Sequence, residues 1–294
     1  MSNKNLRGTG VAIVTPFDKK GNVDTKGLTN VVKHLHDGKV EYIVALGTTG
    51  ESVTLSKDEK KLVIETIIKA NGNKLPLVLG IGGNNTQEVL DSFNKTDLKP
   101  FEAILSVAPY YNKPNQEGYY QHYKALAKAT KKDIILYNVP GRTGSNVTWE
   151  TQVRIAKDFK NIVATKEASG NIEQIMKIIK NKPKDFMVIS GDDNLTLPII
   201  AAGGEGVISV VAQAFPKDYS EMVRLCLKHK FTDAQKLHYK LVDITDQLFA
   251  DGNPGGIKYA LSLLKKCEPF VRLPLAEPND KVKQTLSQLI KKYK

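Results

Sequence analysis

Short β-branched runs alternate with amphipathic helical stretches eight times over about the first 230 residues of the chain. That order severely restricts the fold. Parallel strands cannot be joined by tight hairpins and need a crossover, usually a helix, so repeated strand–helix units imply a parallel sheet. The predicted strands are Gly10 to Thr15, Tyr42 to Leu46, Leu77 to Ile81, Ala103 to Val107, Ile134 to Asn138, Ile162 to Thr165, Met187 to Ser190 and Gly206 to Val210. Period-3.6 patterning places helices at Thr25 to His36, Lys57 to Ala70, Thr86 to Asn94, Glu117 to Thr130, Trp149 to Asp158, Ile172 to Ile179, Leu195 to Ala202 and Lys217 to His229. Eight such units fit an α/β fold, a (β/α)8 TIM barrel spanning residues 1–231. Residues 232–294 carry only helical patterns, at Thr232 to Leu248, Gly256 to Lys265 and Asp280 to Tyr293, and read as an appended C-terminal three-helix module packed on the barrel.

Composition narrows the possible partners. No apolar run approaches the ~18 residues of a membrane span, and Met1 to Arg7 is polar with no apolar segment behind a basic start, so a cytoplasmic protein is expected. The formal charge of +12 raises the possibility of nucleic acid, yet five of the 43 basic residues are Arg and the lysines are scattered among Glu and Asp. Phosphate-reading surfaces cluster their charge and lean on Arg, so no nucleic-acid partner is expected. The basic tail from Lys281 to Lys294 carries Val282, Leu286, Leu289 and Ile290 at helical spacing, the pattern of an amphipathic helix with a solvated face. Cys226 and Cys267 lack C-x-x-C spacing, and the five histidines lack metal-type spacing, so neither a disulfide framework nor a metal site is indicated.

In a parallel barrel, chemistry gathers at the C-terminal ends of the strands. Strand two is followed by Gly47-Thr48-Thr49-Gly50-Glu51-Ser52, whose hydroxyls and backbone N–H groups suit a small carboxylate. A turn with Thr as a local cap explains the same residues equally well. Strand four ends in Pro109-Tyr110-Tyr111-Asn112, a pattern common in interface packing. Strand five runs into Tyr137-Asn138-Val139-Pro140-Gly141-Arg142-Thr143-Gly144, where a tyrosine can relay protons and a guanidinium can grip a carboxylate bidentately. Lys166 closes the sixth run. Only a neutral amine attacks a carbonyl, so a lysine desolvated at the end of a buried strand is a candidate imine-forming nucleophile. Gly191-Asp192-Asp193 after strand seven reads mainly as capping and dipole partners, because adjacent carboxylates seldom face each other across a bond. The glycines of Gly203-Gly204-Glu205-Gly206 precede their strand and read as a turn at the opposite, stabilising face.

Taken together, Gly47-Thr48-Thr49-Gly50-Glu51, the Tyr137 to Gly144 segment and Lys166, in that order and spacing, closely resemble the dihydrodipicolinate synthase (4-hydroxy-tetrahydrodipicolinate synthase) family, within the N-acetylneuraminate lyase superfamily of class I aldolases. The likeness runs from Gly10 through the C-terminal helices. It implies a lyase of lysine and diaminopimelate synthesis in which pyruvate forms a Schiff base on Lys166 and then attacks aspartate semialdehyde, with no cofactor or metal. It further implies that Thr48 links Tyr137 to Tyr111 in a proton relay, that Thr48 and Thr49 hold the pyruvate carboxylate, and that Arg142 holds the carboxylate of the semialdehyde. Gly191 and Ile208 would border pyruvate through their backbones. Tyr111 would enter the site of a neighbouring subunit, as expected of a homotetramer built from tight dimers.

Two other readings compete. Sugar-acid aldolases such as N-acetylneuraminate lyase share the lysine and its tyrosine, but more often resemble Gly-Ser-Thr-Gly-Glu after strand two and lack the arginine of the Gly-Arg-Thr-Gly turn. Thr48 and Arg142 favour the synthase. A barrel that kept only ligand recognition is the alternative outside enzymes, and retention of Lys166, Tyr137 and Thr48 argues against it. Family members sensitive to lysine feedback use positions matching Ser52, Val53, Lys57, Lys60, Asn84, Glu88 and Tyr110, often with histidines where this chain has Lys57 and Lys60. Two ammonium groups beside a cationic ligand disfavour it, so weak lysine inhibition is expected. Gln213 also stands where an asparagine is common in the family.

Overall fold

The computed structural model describes residues 4–293 and shows eight parallel strands closed into a barrel in sequence order. The first three residues and Lys294, the last residue of the basic tail, lie outside the described residues. The strands are β1 (Gly8–Ala12), β2 (Tyr42–Ala45), β3 (Leu77–Gly80), β4 (Ala103–Val107), β5 (Asp133–Asn138), β6 (Ile162–Glu167), β7 (Met187–Ser190) and β8 (Gly206–Ser209). Helices α1 (Thr25–Asp37), α2 (Lys57–Asn71), α3 (Thr86–Lys95) and α4 (Gln116–Ala129) follow the first four strands in turn. The loop after β5 holds a single-turn α5 (Pro140–Thr143) before α6 (Trp149–Asp158). Helices α7 (Ile172–Asn181), α8 (Thr196–Ala201) and α9 (Pro216–Leu227) complete the ring, and α10 (Phe231–Phe249), α11 (Gly255–Leu263) and α12 (Asp280–Tyr293) are the C-terminal helices.

Period-two alternation divides each strand between two environments. Val44, Val78, Leu105, Ile135, Ala164 and Ile189 pack together in the barrel interior, while alternate residues face the helical ring. Tyr42 fills the interior beside β1: a Cβ at Gly10 would lie 2.1 Å from its ring, so glycine there makes room for the tyrosine. Closure of the barrel needs glycine as well. A Cβ at Gly206, whose φ is +156°, would lie 2.2 Å from the carbonyl oxygen of Gly8.

Six strands differ from their sequence-based limits, β2, β3, β5 and β8 by one residue each and β1 and β6 by more, the last two for identifiable reasons. β1 starts two residues before the predicted Gly10 and stops at Ala12, because Gly8 and Thr9 pair with Gly206 and Val207 of β8, a backbone contact with no hydrophobic signature. β6 does not stop at Thr165. Lys166 and Glu167 remain in the sheet, paired with Tyr137 and Asn138 of β5 and with Ile189 and Ser190 of β7. Elsewhere the helix starts follow capping chemistry. At α2 the Ser56 side chain accepts from Glu59 N while the Glu59 carboxylate accepts from Ser56 N, which satisfies two donors at once. Helix α10 packs on α9 and α8, and α11 and α12 pack on α10, so the C-terminal helices stand against the barrel wall.

Candidate active site

A cavity of about 520 Å³ opens at the C-terminal ends of the strands. Lys166 is the floor residue around which the rest can be placed. Its side chain points inward in register with Ala164, is only 5% exposed, and pairs across the sheet with Tyr137. The Nζ atom lies 4.3 Å from the centroid of the Tyr137 ring. Among the described residues Lys166 makes no ion pair. Gly191 abuts it from β7: a Cβ there would approach Lys166 Cε to 3.0 Å and Ala168 Cβ to 2.7 Å, so any side chain would press on the lysine.

One wall is the turn after β2. Thr48 to Gly50 form a 3-10 turn whose C-terminal flank, Glu51, has φ +51° in the left-handed region. Thr48 is exposed to the cavity, whereas Thr49 is buried and its Oγ1 accepts from Asn253 Nδ2 at 3.0 Å. Arg142 comes from α5, whose single turn is started by Pro140 and stopped by Gly144 at φ +69°. Its guanidinium donates to the Asn253 carbonyl at 3.4 Å. Thr48, Thr49, Tyr137, Arg142, Lys166 and Gly191 therefore line one cavity. Ile208 and Tyr111 do not. Ile208 is buried in the barrel interior, with Val210 reaching the cavity in its place, and Tyr111 is 87% exposed in the loop after β4 with φ +69°. Within the single chain, no hydrogen bond joins Thr48, Tyr137 and Tyr111.

The acidic pair after β7 fastens the turn before α8 and the end of β8 and does not cap the helix. Asp192 accepts from Asn194 N and Leu195 N in the turn before α8, whose N-cap residue is Leu195 with no side-chain cap. Asp193 is buried and accepts from Ser209 Oγ at 2.5 Å and Val210 N at 3.0 Å, which ties β7 to the end of β8. Burial pushes its carboxyl up from the usual range, partly opposed by these hydrogen bonds.

Three features of the site depend on contacts between segments distant in the sequence. Thr245, Asp246, Phe249, Ala250 and Asn253 bring the C-terminal helices into the cavity wall. Only the Asn253-Pro254-Gly255-Gly256 turn signal hinted at such a change of direction. Behind Lys166, the fully buried Glu167 faces the helices and accepts from Gln152 Nε2 at 2.8 Å, Ser169 N at 3.0 Å, Asn138 Nδ2 at 3.1 Å and Gln174 Nε2 at 3.2 Å. This network binds the Tyr137 and Lys166 strands to α6 and α7. Finally, Glu51 forms a buried ion pair with Lys258 of α11. Among the described residues, no group of three or more His, Cys, Asp or Glu side chains is arranged to hold a metal ion.

The sequence profile of the Dihydrodipicolinate synthetase family matches residues 5–293. The chain belongs to that family. It is 56% identical over 284 residues to the 4-hydroxy-tetrahydrodipicolinate synthase of Flavobacterium psychrophilum, a match covering 97% of each chain. The solved dihydrodipicolinate synthase of Thermotoga maritima superposes with a TM-score of 0.95 at 39% identity, covering 98% of both chains. A solved monomeric dihydrodipicolinate synthase variant gives a TM-score of 0.95 at 38% identity, covering 98% of this chain and 97% of that one. Family membership agrees with the observed architecture, an eight-stranded parallel barrel carrying additional C-terminal helices.

Proposed function

We propose that this family member is a 4-hydroxy-tetrahydrodipicolinate synthase, condensing pyruvate with L-aspartate 4-semialdehyde in diaminopimelate and lysine synthesis. The observation that carries this reading is Lys166: a nearly buried amine without an ion pair, facing a tyrosine at the base of a cavity that also holds two threonines and an arginine. The neutral Lys166 amine adds to the pyruvate carbonyl and water leaves, giving an imine. Protonation of that imine makes it the electron sink for loss of a methyl proton, so neither a metal nor an organic cofactor takes part. The resulting enamine attacks the aldehyde carbon. The amino group of the second substrate then closes on the imine carbon and releases Lys166.

Each neighbour has a role in this scheme. Thr48 and Thr49 hold the pyruvate carboxylate through hydroxyl and backbone donors, and Arg142 grips that of the semialdehyde. Gly191 leaves its backbone open to pyruvate beside Lys166, and Val210, not Ile208, borders the cavity from the end of β8. Tyr137 and Thr48 pass protons with Tyr111 supplied by a neighbouring subunit, which gives the 87% exposed Tyr111 a destination in a homotetramer. The C-terminal helices form one module from about residue 232, closing the cavity wall. No described helix is long and apolar enough to cross a membrane. The proposed enzyme is cytoplasmic and uses small-molecule substrates. Turnover of pyruvate with aspartate semialdehyde, measured beside cleavage of N-acetylneuraminate, tests the assignment. Turnover of the semialdehyde alone is expected, and cleavage of the sugar acid alone would assign the site to sugar-acid aldolase chemistry.

A further inference from the structure

Glu51 and Lys258 form an ion pair in which both side chains are completely buried. The amine also donates to the Phe270 carbonyl at 2.8 Å and lies 4.1 Å from the centroid of the Phe17 ring, while the second Glu51 oxygen accepts from Arg272 N at 3.0 Å. Every strong partner of this carboxylate therefore comes from α11 or from the segment between α11 and α12. Such a pair is an expensive way to fill space. The attraction between two buried charges often fails to exceed their desolvation cost, and well-packed apolar residues serve stability as well or better. What the pair does supply is direction, because it satisfies a specific carboxylate at a specific place.

That place is the flank of the Thr48–Thr49 turn. Glu51 holds a left-handed conformation that side chains rarely adopt, its N–H donates to the Thr48 carbonyl at 3.1 Å, and its own carbonyl accepts from Thr54 N at 3.0 Å. The peptide before it is also fastened, with Thr15 Oγ1 donating to the Gly50 carbonyl at 2.7 Å. A second tie from the C-terminal helices, Asn253 Nδ2 to Thr49 Oγ1, reaches the same turn from the cavity side. We propose that the Glu51–Lys258 pair is a positioning device that aims the Thr48–Thr49 turn at the pyruvate carboxylate, making the C-terminal helices part of pyruvate recognition. The proposal rests on the reading of that turn as the carboxylate site.

Steady-state kinetics of the full-length protein test it with the near-isosteric, neutral double variant Glu51→Gln/Lys258→Met. Its KM for pyruvate should rise about tenfold or more, the scale of one hydrogen bond to a charged group. The KM for aspartate semialdehyde should change less than about threefold, because Arg142 is untouched, while kcat, which also draws on Thr48, should fall by a smaller factor than the pyruvate KM rises. Glu51→Asp, which keeps the charge but shortens its reach, should show the same split. A remote core variant, Leu286→Ala in α12, lowers stability and should leave the pyruvate KM unchanged. The positioning role is overturned if both charge variants fail to fold, if folded variants retain a wild-type pyruvate KM, if only kcat falls, or if Leu286→Ala raises that KM equally. Borohydride trapping of the wild type separates the two levels. No pyruvate adduct on Lys166 defeats the site reading itself, whereas an adduct together with an unchanged variant KM defeats the positioning role alone.

Discussion

Tyr137 and Lys166 occupy one rung of the barrel: they are register partners across β5 and β6, and the lysine amine sits 4.3 Å from the centroid of the tyrosine ring. Both side chains are nearly buried yet both face the cavity. The pairing leaves the tyrosine hydroxyl free of protein partners among the described residues, available to a reacting carbonyl or imine.

Removing that hydroxyl tests its part in proton transfer. Tyr137→Phe keeps the ring against Lys166 and should lower kcat by about a hundredfold or more, the usual contribution of a positioned acid–base group. Melting temperature should be nearly unchanged, and a kcat within about threefold of wild type would assign the relay elsewhere.

Arg142 reaches the cavity from α5 and contacts the protein through the Asn253 carbonyl. Arg142→Ala should raise the KM for aspartate semialdehyde about 10- to 100-fold by removing charge-assisted hydrogen bonds, while leaving the KM for pyruvate close to wild type. An equal rise for both substrates would contradict the division of the cavity between them.

Glu167 is satisfied entirely by N–H donors. In Glu167→Gln one oxygen becomes a donor facing other donors, so the variant should lose about 2–4 kcal/mol of stability in denaturant unfolding. A loss near zero would show that Asn138, Gln152 and Gln174 rearrange freely around the amide.

Acid should weaken the fold through His122. Burial pushes its imidazole from 6.5 down to about 4. As pH falls from about 6.5, the unfolded chain takes up a proton that the folded chain refuses, so stability present above 6.5 is progressively lost until the folded value near 4 is reached. Between about pH 7 and pH 5 the loss should be on the order of 2 kcal/mol, and it should shrink in His122→Gln. His34 and His238, also shifted down by burial, add to the same trend, so the comparison between variant and wild type isolates the His122 share. Identical pH slopes for the two proteins would contradict it.

Lysine should inhibit only weakly. Lys57 and Lys60 lie in the first turn of α2, next to the turn carrying Ser52 and the 83% exposed Val53. Replacing both lysines with histidine should tighten inhibition, and a submillimolar inhibition constant for the unaltered chain would contradict the charge argument.

The sequence revealed the barrel and much of its rim because both depend on local signals. β-branched runs marked all eight strands, and the residues following them placed Thr48, Thr49, Tyr137, Arg142, Lys166 and Gly191 around one cavity. Barrel closure was harder to read, since the Gly8–Gly206 contact is made by backbone alone. Helical periodicity showed that the C-terminal segment would pack somewhere, but not against which end of the barrel, so Asn253 and Lys258 were missed. Glu167 was hidden for another reason: its partners Asn138, Gln152 and Gln174 come from separate elements that meet only in the folded protein. Gln213 is likewise explained only in three dimensions, where its side-chain oxygen accepts from Val14 N at 2.7 Å beyond the end of β1.

The central claim is that Lys166 forms an imine with pyruvate. Incubating the protein with pyruvate, reducing with borohydride and mapping the product by peptide mass spectrometry tests it directly. A single 1-carboxyethyl group on Lys166, absent when pyruvate or borohydride is omitted and absent in Lys166→Arg, is the expected result. Unmodified protein, or modification spread over surface lysines with Lys166 untouched, would contradict it.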